Sequence, residues 1–359
     1  MRILIDLTSL SYHMTGIERF AKCISLEMIT QDTTNEYILL FRNEIYPDFS
    51  MYVDNERIKA KVIKGDHKLL FFQIVIPWNL YKIKADRYLF FAFPSPILFF
   101  NKHIYNTIHD MGRWDCPETK GLHLFYFKTT ESIALKKARH IFTVSEFSKE
   151  RIHSLMNIDS SRITVTYSAV AESITKSSVL FDDIKAKYNL PDKYILFLST
   201  LQPRKNLKLL LEAYSEIKDK VDYSLVLIGR NGWNVDELIT KYNAGDKIVF
   251  TGFVDDQDIS AIYKNAMCFI WPTLYEGFGL PPIEALTMGC PVISSDCSCT
   301  KEILRNQAIY FSDNNKDELK ELLVKLPFMS KDMPRKLDEF QTENYSFASS
   351  ARTILETIN

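Results

Sequence analysis

The sequence predicts an α/β fold in which two Rossmann-like domains, each built on a parallel sheet, face each other across a cleft. The chain has 359 residues, which is enough for about two domains of ordinary size. Short apolar runs alternate with amphipathic helical segments, as expected for parallel sheets that are covered on both faces. The alternation occurs in two series, which a polar break at Glu172–Asp183 separates.

The strand candidates are short runs rich in β-branched and aromatic residues. In the first series they are Arg2–Leu7, Tyr37–Phe41, Ile104–Ile108 and His140–Val144. In the second series they are Tyr194–Ser199, Tyr223–Ile228, Lys247–Phe250, Met267–Trp271, Pro291–Ser294 and Ala308–Phe311. Leu207–Lys218 is a helix candidate between two of them, with apolar side chains three or four residues apart. These elements predict an N-terminal domain at 1–172, a second domain at 184–340, and a C-terminal helix within 341–359 that packs back towards the first domain.

Composition argues against several classes of protein. Lys+Arg is 44 and Asp+Glu is 45, and this net charge of −1 argues against a nucleic-acid binder that works by bulk electrostatics. The N-terminal sequence has Asp6 within its apolar run and lacks a small-residue cleavage site, unlike a signal peptide. The most apolar stretch, Tyr88–Phe100, is too short to span a bilayer and contains two prolines. Six cysteines without a disulfide or zinc spacing indicate a reduced, cytoplasmic protein.

Charge is distributed unevenly along the chain. Residues 1–170 contain 22 Lys+Arg and 18 Asp+Glu, whereas the remainder contains 22 and 27. The N-terminal half is also dense in aromatic residues, such as Trp78, Phe93 and Phe100. A solvated face over an ordinary core explains this pattern, and so does a surface that contacts anionic lipid and a lipid-linked substrate. The second interpretation predicts a peripheral protein on the cytoplasmic face of the plasma membrane.

The segment Pro272–Gly289 (PTLYEGFGLPPIEALTMG) follows the strand candidate Met267–Trp271, so it is expected at the carboxyl edge of a parallel sheet, where such folds bind ligands. Pro281 and Pro282 suit the first turn of a helix, and Gly289 suits its end. The helix N-terminus then points at the glycine loop and favours an anion. Glu276 before this helix and Glu284 within it suit a ligand with a central diphosphate and hydroxyl-bearing sugars on either side.

The segment Leu201–Asn206 (LQPRKN) occupies the turn between another strand and the following helix. Adjacent cations at Arg204 and Lys205 can neutralise a departing diphosphate at the same sheet edge.

Two further patterns are typical of metal or acid–base sites. Asp256 and Asp258 form a D-x-D pair, but they precede a helical segment, where aspartates cap the helix and complement its dipole. We therefore predict no essential metal. His109-Asp110 has no histidine nearby at metal-ligand spacing, so it is either a structural histidine or an acid–base pair.

The string EGFGLPPIEAL resembles the E-x7-E signature of glycosyltransferase family 4, whose members are retaining enzymes of GT-B fold. Other stretches resemble the same family in the same order: IDLTSLSYHMTGIERF, FFQIVIPWNLYKIKADRYLF, TIHDMGRWDCPE, FTVSEFSKERI, STLQPRKNLKLLLEAY, LVLIGRNGW and IVFTGFVDDQDISAIYKNA. The resemblance covers nearly the whole chain. It departs from the family at Thr15-Gly16, where many relatives have two glycines.

The resemblance implies a role for each motif residue. Arg204 and Lys205 hold the donor diphosphate, together with Gly16 from the N-terminal loop and the backbone around Leu280. The groups that bind hydroxyls of the transferred sugar are the Glu276 side chain and the amides of Gly277, Phe278 and Gly279. Glu284 binds the ribose hydroxyls of the nucleoside. The base is bordered by Gly252, Phe253 and Val254. His109, which belongs to the N-terminal domain, lies over the reacting sugar.

These features predict a retaining, metal-independent hexosyltransferase that acts on a glycan or a polyprenyl-diphosphate-linked oligosaccharide in O-antigen or capsule synthesis. The donor is expected to be GDP-mannose, because the segments resemble surface-polysaccharide mannosyltransferases, or else a UDP-hexose. No bound cofactor is expected. One alternative is a GT-B nucleotide-sugar epimerase or hydrolase, which would turn over the donor without an acceptor. Another is a non-catalytic sugar-binding protein, which would not turn it over at all.

Overall fold

The strands of the chain are short and parallel, and they form two separate sheets in this computed structural model. The structure describes residues 1–12, 14–53, 55–66, 70–118, 120–175, 180–232, 236–242 and 247–359. The strands are β1 (Arg2–Asp6), β2 (Glu36–Arg42), β3 (Ile58–Ile63), β4 (Arg87–Phe90), β5 (Ile104–Ile108), β6 (His140–Thr143), β7 (Ile163–Val165), β8 (Tyr194–Leu198), β9 (Ser224–Ile228), β10 (Ile248–Gly252), β11 (Cys268–Trp271), β12 (Val292–Asp296) and β13 (Ala308–Ser312).

Helices connect most of these strands, as crossovers between parallel strands require. They are α1 (Gly16–Gln31), α2 (Ile76–Lys82), α3 (Gly112–Asp115), α4 (Gly121–Lys137), α5 (Glu146–Met156), α6 (Glu172–Thr175), α7 (Phe181–Tyr188), α8 (Leu207–Ser215), α9 (Asp236–Tyr242), α10 (Asp256–Asn265), α11 (Leu280–Thr287), α12 (Thr300–Leu304), α13 (Lys316–Met329), α14 (Glu339–Asn344) and α15 (Phe347–Ile358). A π-helical segment, Phe71–Val75, leads into α2, and short 3-10 turns occur at Pro47–Phe49, Ser160–Arg162, Pro203–Lys205 and Lys218–Lys220.

The chain divides into two compact units. Unit 1 contains Met1–Ala169 and the last helical segment, Glu343–Asn359, and unit 2 contains Val170–Thr342. In unit 1, α15 packs along α1 and buries its apolar face, which includes Ala351 and Ile354. The final residues of the chain are therefore part of the N-terminal unit.

The strand order of unit 1 is β3-β2-β1-β4-β5-β6-β7, and that of unit 2 is β10-β9-β8-β11-β12-β13. In each sheet the order reverses direction once, between β1 and β4 in unit 1 and between β8 and β11 in unit 2. Ligands of open parallel sheets bind outside the carboxyl ends of the strands at such a reversal. Each unit therefore has one favoured position for a ligand.

All ten strands predicted from the sequence are present, with ends that differ by at most about two residues, as is usual for element boundaries. Three strands were missed: β3, β4 and β7. The predicted helix Leu207–Lys218 is too long, because α8 ends at Ser215 and a separate 3-10 turn follows.

Some predictions fall partly on residues that the structure does not describe. Residues 176–179 of the predicted polar break, and residues 13 and 233 in two of the stretches that resemble family 4, lie outside the described ranges. Within the described ranges, no helix is long and apolar enough to cross a membrane.

Candidate active site

The two motif segments of unit 2 come together because their strands are neighbours. β8 and β11 are hydrogen-bonded in parallel, so the loops that follow them leave the same edge of the sheet. The loops also bond to each other, since the carbonyl of Arg204 accepts hydrogen bonds from the amide of Leu274 at 2.9 Å and from Oγ1 of Thr273 at 3.2 Å. The site therefore lies at the reversal of strand order in unit 2, where a ligand is expected.

The loop after β8 positions two cations. Pro203 begins the 3-10 turn, and Asn206 ends it with a φ of +53°, a left-handed conformation that asparagine tolerates. α8 then begins at Leu207. This tight turn buries Lys205, which is only 8% exposed, and holds the Arg204 side chain against the carbonyl of Tyr275 at 3.0 Å.

The loop after β11 has the geometry that its glycines and prolines predict. Gly279 has a φ of +84° and is the residue before α11, whose first turn contains Pro281 and Pro282. Proline fits there because its missing N–H has no partner within the helix at that position. Gly289, with a φ of +80°, follows the end of the helix. The positive end of the α11 dipole is thus at the glycine turn.

Glu276 connects the two loops through a buried ion cluster. Nζ of Lys205 lies 2.5 Å from Oε1 of Glu276, and Nη1 of Arg204 lies 3.7 Å from Oε2. Thr273 also donates its hydroxyl to Oε1, at 2.8 Å. Glu276 is 7% exposed, so its carboxylate has exchanged water for these partners.

The ion cluster carries two cations and one carboxylate, and so one excess positive charge next to the N-terminus of α11. Such a group attracts an anion and offers a carboxylate to hydroxyl groups beside that anion. A diphosphate attached to a sugar has both features. The chemistry that the cluster can supply is stabilisation of negative charge on a leaving diphosphate.

The remaining predicted residues of unit 2 lie around this cluster. Glu284, in the second turn of α11, is buried and accepts a hydrogen bond from the hydroxyl of Tyr263 at 3.2 Å. Gly252, at the end of β10 with a φ of +71°, is separated from the cluster strands by β9. Phe253 is half exposed beneath the guanidinium of Arg230, at 4.5 Å from the ring centre, and Val254 is buried. The structure therefore joins Arg204, Lys205 and Glu276 by direct contact.

Two predicted residues, His109 and Gly16, belong to unit 1. His109 follows β5, and burial lowers the pKa of its imidazole, so the ring is neutral at pH 7. Its Nε2 lies 2.8 Å from the carbonyl of Phe91, which can only accept, so Nε2 carries the hydrogen and Nδ1 is an acceptor. Gly16 was expected within a loop, but it is the first residue of α1, after the N-cap Thr15.

Asp256 and Asp258 lie in the first turn of α10, where they complement the helix dipole as predicted, but the predicted capping is wrong because neither is the N-cap residue. α10 begins at Asp256 after the N-cap Asp255, whose side chain makes no capping hydrogen bond. Asp258 is buried and accepts hydrogen bonds from Nζ of Lys187 and the hydroxyl of Tyr188, both at 2.8 Å. It therefore anchors α7 to α10. Within the described ranges, no three His, Cys, Asp or Glu side chains are grouped to hold a metal ion.

Sequence reasoning missed three residues that support the ion cluster. They are Thr273, which holds Glu276 as described, Ser298, whose Oγ accepts from the amide of Glu276 at 3.0 Å, and Trp271, whose ring lies 4.8 Å from Nζ of Lys205. Nε1 of Trp271 is buried without a hydrogen-bond partner among the described residues. Only Thr273, three residues before Glu276, could have been noticed from the sequence.

Comparison with known proteins identifies the domain that contains the cluster. Residues 181–340 match the family model described as "Glycosyl transferases group 1". We call these matched residues the group 1 domain. Arg204, Lys205, Glu276 and Glu284 all lie within this group 1 domain, which coincides with most of unit 2.

Relatives of the whole chain include O-antigen chain mannosyltransferase B of Escherichia coli, 28% identical over 343 residues that cover 89% of this chain and 88% of that protein. O-antigen chain mannosyltransferase RfbU of Salmonella typhimurium is 29% identical over 216 residues, which cover 58% of this chain and 56% of that protein. The crystal structure of Anabaena HepE in complex with UDP and glucose has a TM-score of 0.74 at 14% identity and covers 100% of this chain and 99% of that chain. The predicted GT-B fold class, with two parallel-sheet α/β domains, is confirmed.

Proposed function

We propose that the protein is a glycosyltransferase that moves a hexose from a nucleoside diphosphate sugar to a glycan or a polyprenyl-diphosphate-linked oligosaccharide during surface-polysaccharide synthesis. The observation that carries this proposal is the buried ion cluster at the strand reversal of the group 1 domain. The names of the relatives support O-antigen synthesis and mannose as the sugar. HepE, solved with UDP and glucose, supports a UDP-hexose as the second candidate donor.

In this proposal the diphosphate binds Arg204 and Lys205, with the backbone around Leu280 and Gly16. Glu276 accepts hydrogen bonds from hydroxyls of the transferred sugar. Its carboxylate then contacts both the sugar and Lys205. The contacts of Glu276 with Lys205 and Thr273 hold its side chain in place before the donor arrives. Binding then needs no large rearrangement of buried charge.

The other predicted residues contact the sugar and the nucleoside. The amides of Gly277, Phe278 and Gly279 donate to sugar hydroxyls. Glu284 accepts from the ribose hydroxyls, and the base lies along Gly252, Phe253 and Val254. His109, through its neutral Nδ1, accepts a hydrogen bond from the transferred sugar.

The proposed transfer proceeds with retention of configuration. The acceptor hydroxyl oxygen forms a bond to the anomeric carbon on the face that the diphosphate leaves. The bond from this carbon to the diphosphate oxygen breaks, its electron pair stays on the diphosphate, and the hydroxyl proton passes to that leaving group. Arg204, Lys205 and the N-terminus of α11 stabilise the charge that develops.

Because the charge stabilisation is assigned to side chains, we propose that the reaction needs no metal ion or other cofactor. Activity should persist in excess EDTA. Loss of activity in EDTA, with recovery on adding Mg²⁺ or Mn²⁺, would contradict this part of the proposal.

We further propose that unit 1 binds the acceptor and that the protein works in the cytoplasm, at the cytoplasmic face of the plasma membrane. Exposed apolar side chains recur every three or four residues before and along α2, at Leu70, Ile74, Trp78 and Tyr81. We call these four residues the apolar strip. Nζ of Lys82 lies over the Trp78 ring, at 4.6 Å from its centre, and this combination suits an anionic lipid surface.

The deciding experiment measures transfer and donor binding with GDP-mannose and with UDP-glucose. We expect one of them to raise the melting temperature and to be consumed mainly when a glycan acceptor is present. Lys205→Met should slow transfer by about two to three orders of magnitude. Lys208→Met should not, because Lys208 is an exposed lysine of the adjacent helix. Turnover without acceptor would favour the epimerase or hydrolase alternative, and binding without any turnover would favour a sugar-binding protein.

A further inference from the structure

Unit 1 contains a cavity of about 740 Å³, lined by Phe93 of the predicted aromatic surface but by none of the predicted catalytic or donor-binding residues. Its walls include the loops that follow β1 and β4, which are hydrogen-bonded neighbours. The cavity therefore lies at the strand reversal of the N-terminal sheet, the position equivalent to that of the ion cluster in unit 2. Its volume is within the range of about 300–1,000 Å³ that small-molecule sites occupy.

Asp6 lines this cavity and has an unusual environment. It is the last residue of β1, is 6% exposed, and accepts a hydrogen bond from the amide of Thr8 at 3.1 Å. In the described ranges no lysine or arginine pairs with it. Burial raises the pKa of Asp6 to about 6, so the ionised carboxylate lowers the free energy of unfolding at neutral pH. An asparagine at this position could accept the same hydrogen bond from Thr8 without burying a charge.

The charges around the cavity decide which ligand fits. Its described lining contains four carboxylates, those of Asp6, Glu18, Glu44 and Glu131, but only two guanidiniums. Both guanidiniums are engaged: Arg42 donates to the carbonyls of Gly65 and Asp66, and Arg113 pairs with Glu131 at 3.3 Å. A diphosphate would meet an excess of negative charge here.

A neutral polyol has the complementary chemistry. Its hydroxyls donate to carboxylates, and its C–H faces pack on aromatic rings. Several rings line the cavity, among them Phe72, Phe93 and Tyr126. Phe93 is 41% exposed, so it borders the opening of the cavity.

We propose that this cavity binds the terminal neutral sugar of the acceptor and that the Asp6 carboxylate accepts a hydrogen bond from one of its hydroxyls. This inference rests on the proposed function, and it assigns to the acceptor a site within unit 1. It also implies that recognition is of the sugar end of the acceptor and not of a diphosphate attached to it. Asp6 is then a substrate-binding residue and Phe93 an apolar platform for the sugar ring.

The test uses the full-length protein and a panel of soluble neutral acceptors, the p-nitrophenyl glycosides of mannose, glucose, galactose and N-acetylglucosamine. Binding is measured by saturation-transfer NMR, alone and with GDP-mannose or UDP-glucose present. We expect at least one glycoside to bind, and Asp6→Asn and Phe93→Ala each to weaken it at least tenfold. Asp48→Asn is the matched control, because Asp48 is an aspartate of unit 1 that pairs with Lys22 outside the cavity.

A second readout separates recognition from folding. Asp6→Asn should keep or raise the melting temperature and keep the donor-induced thermal shift, while the KM for the glycoside rises. The inference is overturned if no glycoside binds the wild type under either condition, if Asp6→Asn binds like Asp48→Asn, or if inorganic pyrophosphate displaces the glycoside. Failure of the proposed function would look different, since the protein would then neither bind nor turn over a nucleotide sugar.

Discussion

At the scale of single residues, the ion pair of Lys205 with Glu276 links folding to the transfer reaction that we propose. Lys205→Met retains the aliphatic stem against Trp271 but leaves Glu276 buried with Arg204 as its remaining cation, at 3.7 Å. Breaking a buried pair from one side is strongly destabilising, so we expect a loss of roughly 3 kcal/mol in the free energy of unfolding. The double variant Lys205→Met/Glu276→Gln removes both charges and should recover most of this loss.

The double variant should recover stability but not activity. Without the ammonium group, charge on the departing diphosphate is less stabilised, and kcat should fall by about two to three orders of magnitude in both variants. Chemical denaturation and steady-state kinetics, with Lys208→Met as reference, measure the two effects. Recovery of turnover in the double variant would show that the lysine serves folding alone.

Asp6 differs from this ion pair, because its ionised side chain lowers the stability of the folded protein while, in our proposal, it binds the acceptor. Its pKa of about 6 in the folded protein lies above the ordinary value of 3.8, so protonation favours the folded state. That contribution is fully present below pH 3.8 and is lost as the pH rises through 6. Asp6→Asn should therefore be more stable than wild type at pH 7, by up to about 3 kcal/mol, with the difference vanishing below about pH 4.

The check is a denaturation series from acid to neutral pH for the wild type and Asp6→Asn. The other charged side chains lining the same cavity are Glu18, Arg42, Glu44, Arg113 and Glu131, together with three tyrosines. Of these, burial also raises the pKa of Glu131, with Arg113 acting against the shift. Because both proteins share these groups, their titrations cancel in the comparison. Equal stability of the two proteins at all pH values would contradict the assigned burial of an ionised Asp6.

Sequence reasoning selected the residues of the ion cluster but did not select Asp6 as a site residue. Arg204, Lys205 and Glu276 stand in short segments where glycines, prolines and adjacent charges occur together, a combination that packing alone rarely requires. Asp6 was noticed only as a charge that argues against a signal peptide. Its burial depends on loops that come together only after β1 and β4 pair, and a local pattern does not contain this information.

At the scale of elements, the turn that begins α11 tests whether backbone conformation positions the donor. Gly279 has a φ of +84°, and an added Cβ would meet Nε1 of Trp271 at 3.6 Å, an ordinary contact. Gly279→Ala should therefore cost about 1–2 kcal/mol through backbone strain rather than collision. The strain displaces the amides at the N-terminus of α11, and the dissociation constant for the donor should rise several-fold.

Gly121→Ala is the matched control for this turn. Gly121 has a φ of +69° and open space around its Cβ position, but it begins α4 in unit 1. The two variants should thus lose similar stability, and only Gly279→Ala should weaken the donor-induced thermal shift. If the donor raised the melting temperature of Gly279→Ala as much as that of the wild type, the conformation of this turn would not contribute to donor binding.

The strands that the sequence did not reveal have weak patterns for physical reasons. β3 and β7 are the outer strands of the N-terminal sheet, and β3 places Lys59 and Lys61 within an otherwise apolar run. Lysines on edge strands discourage pairing with other chains. They also interrupt the apolar run by which a buried strand is recognised in the sequence. β4 is only four residues long and merges in sequence with the apolar segment that follows it. Central strands flanked by amphipathic helices had no such ambiguity, and all were found except β4.

At the scale of the whole molecule, the uneven distribution of charge and exposed apolar surface predicts where the protein works. The apolar strip lies in unit 1, whose sequence is mildly basic, and Trp78 within it is 65% exposed. We expect the protein to sediment with vesicles of phosphatidylglycerol and phosphatidylcholine, and less with phosphatidylcholine alone. Binding should weaken as salt rises, because charges are screened beyond a distance of about 10 Å at 0.1 M ionic strength.

A matched pair of variants assigns this binding to one surface. Trp78→Ser removes the largest side chain of the apolar strip, and the vesicle dissociation constant should rise roughly tenfold, since burying such a side chain contributes about 1.5–3 kcal/mol. Phe328→Ser removes an 85% exposed aromatic side chain from unit 2 and should change nothing. Equal partitioning at low and high salt, or equal weakening by both substitutions, would show that general hydrophobicity and not the basic surface of unit 1 determines binding. Because lipid-linked acceptors reside in the membrane, Trp78→Ser should also slow transfer to them while leaving transfer to soluble glycosides unchanged.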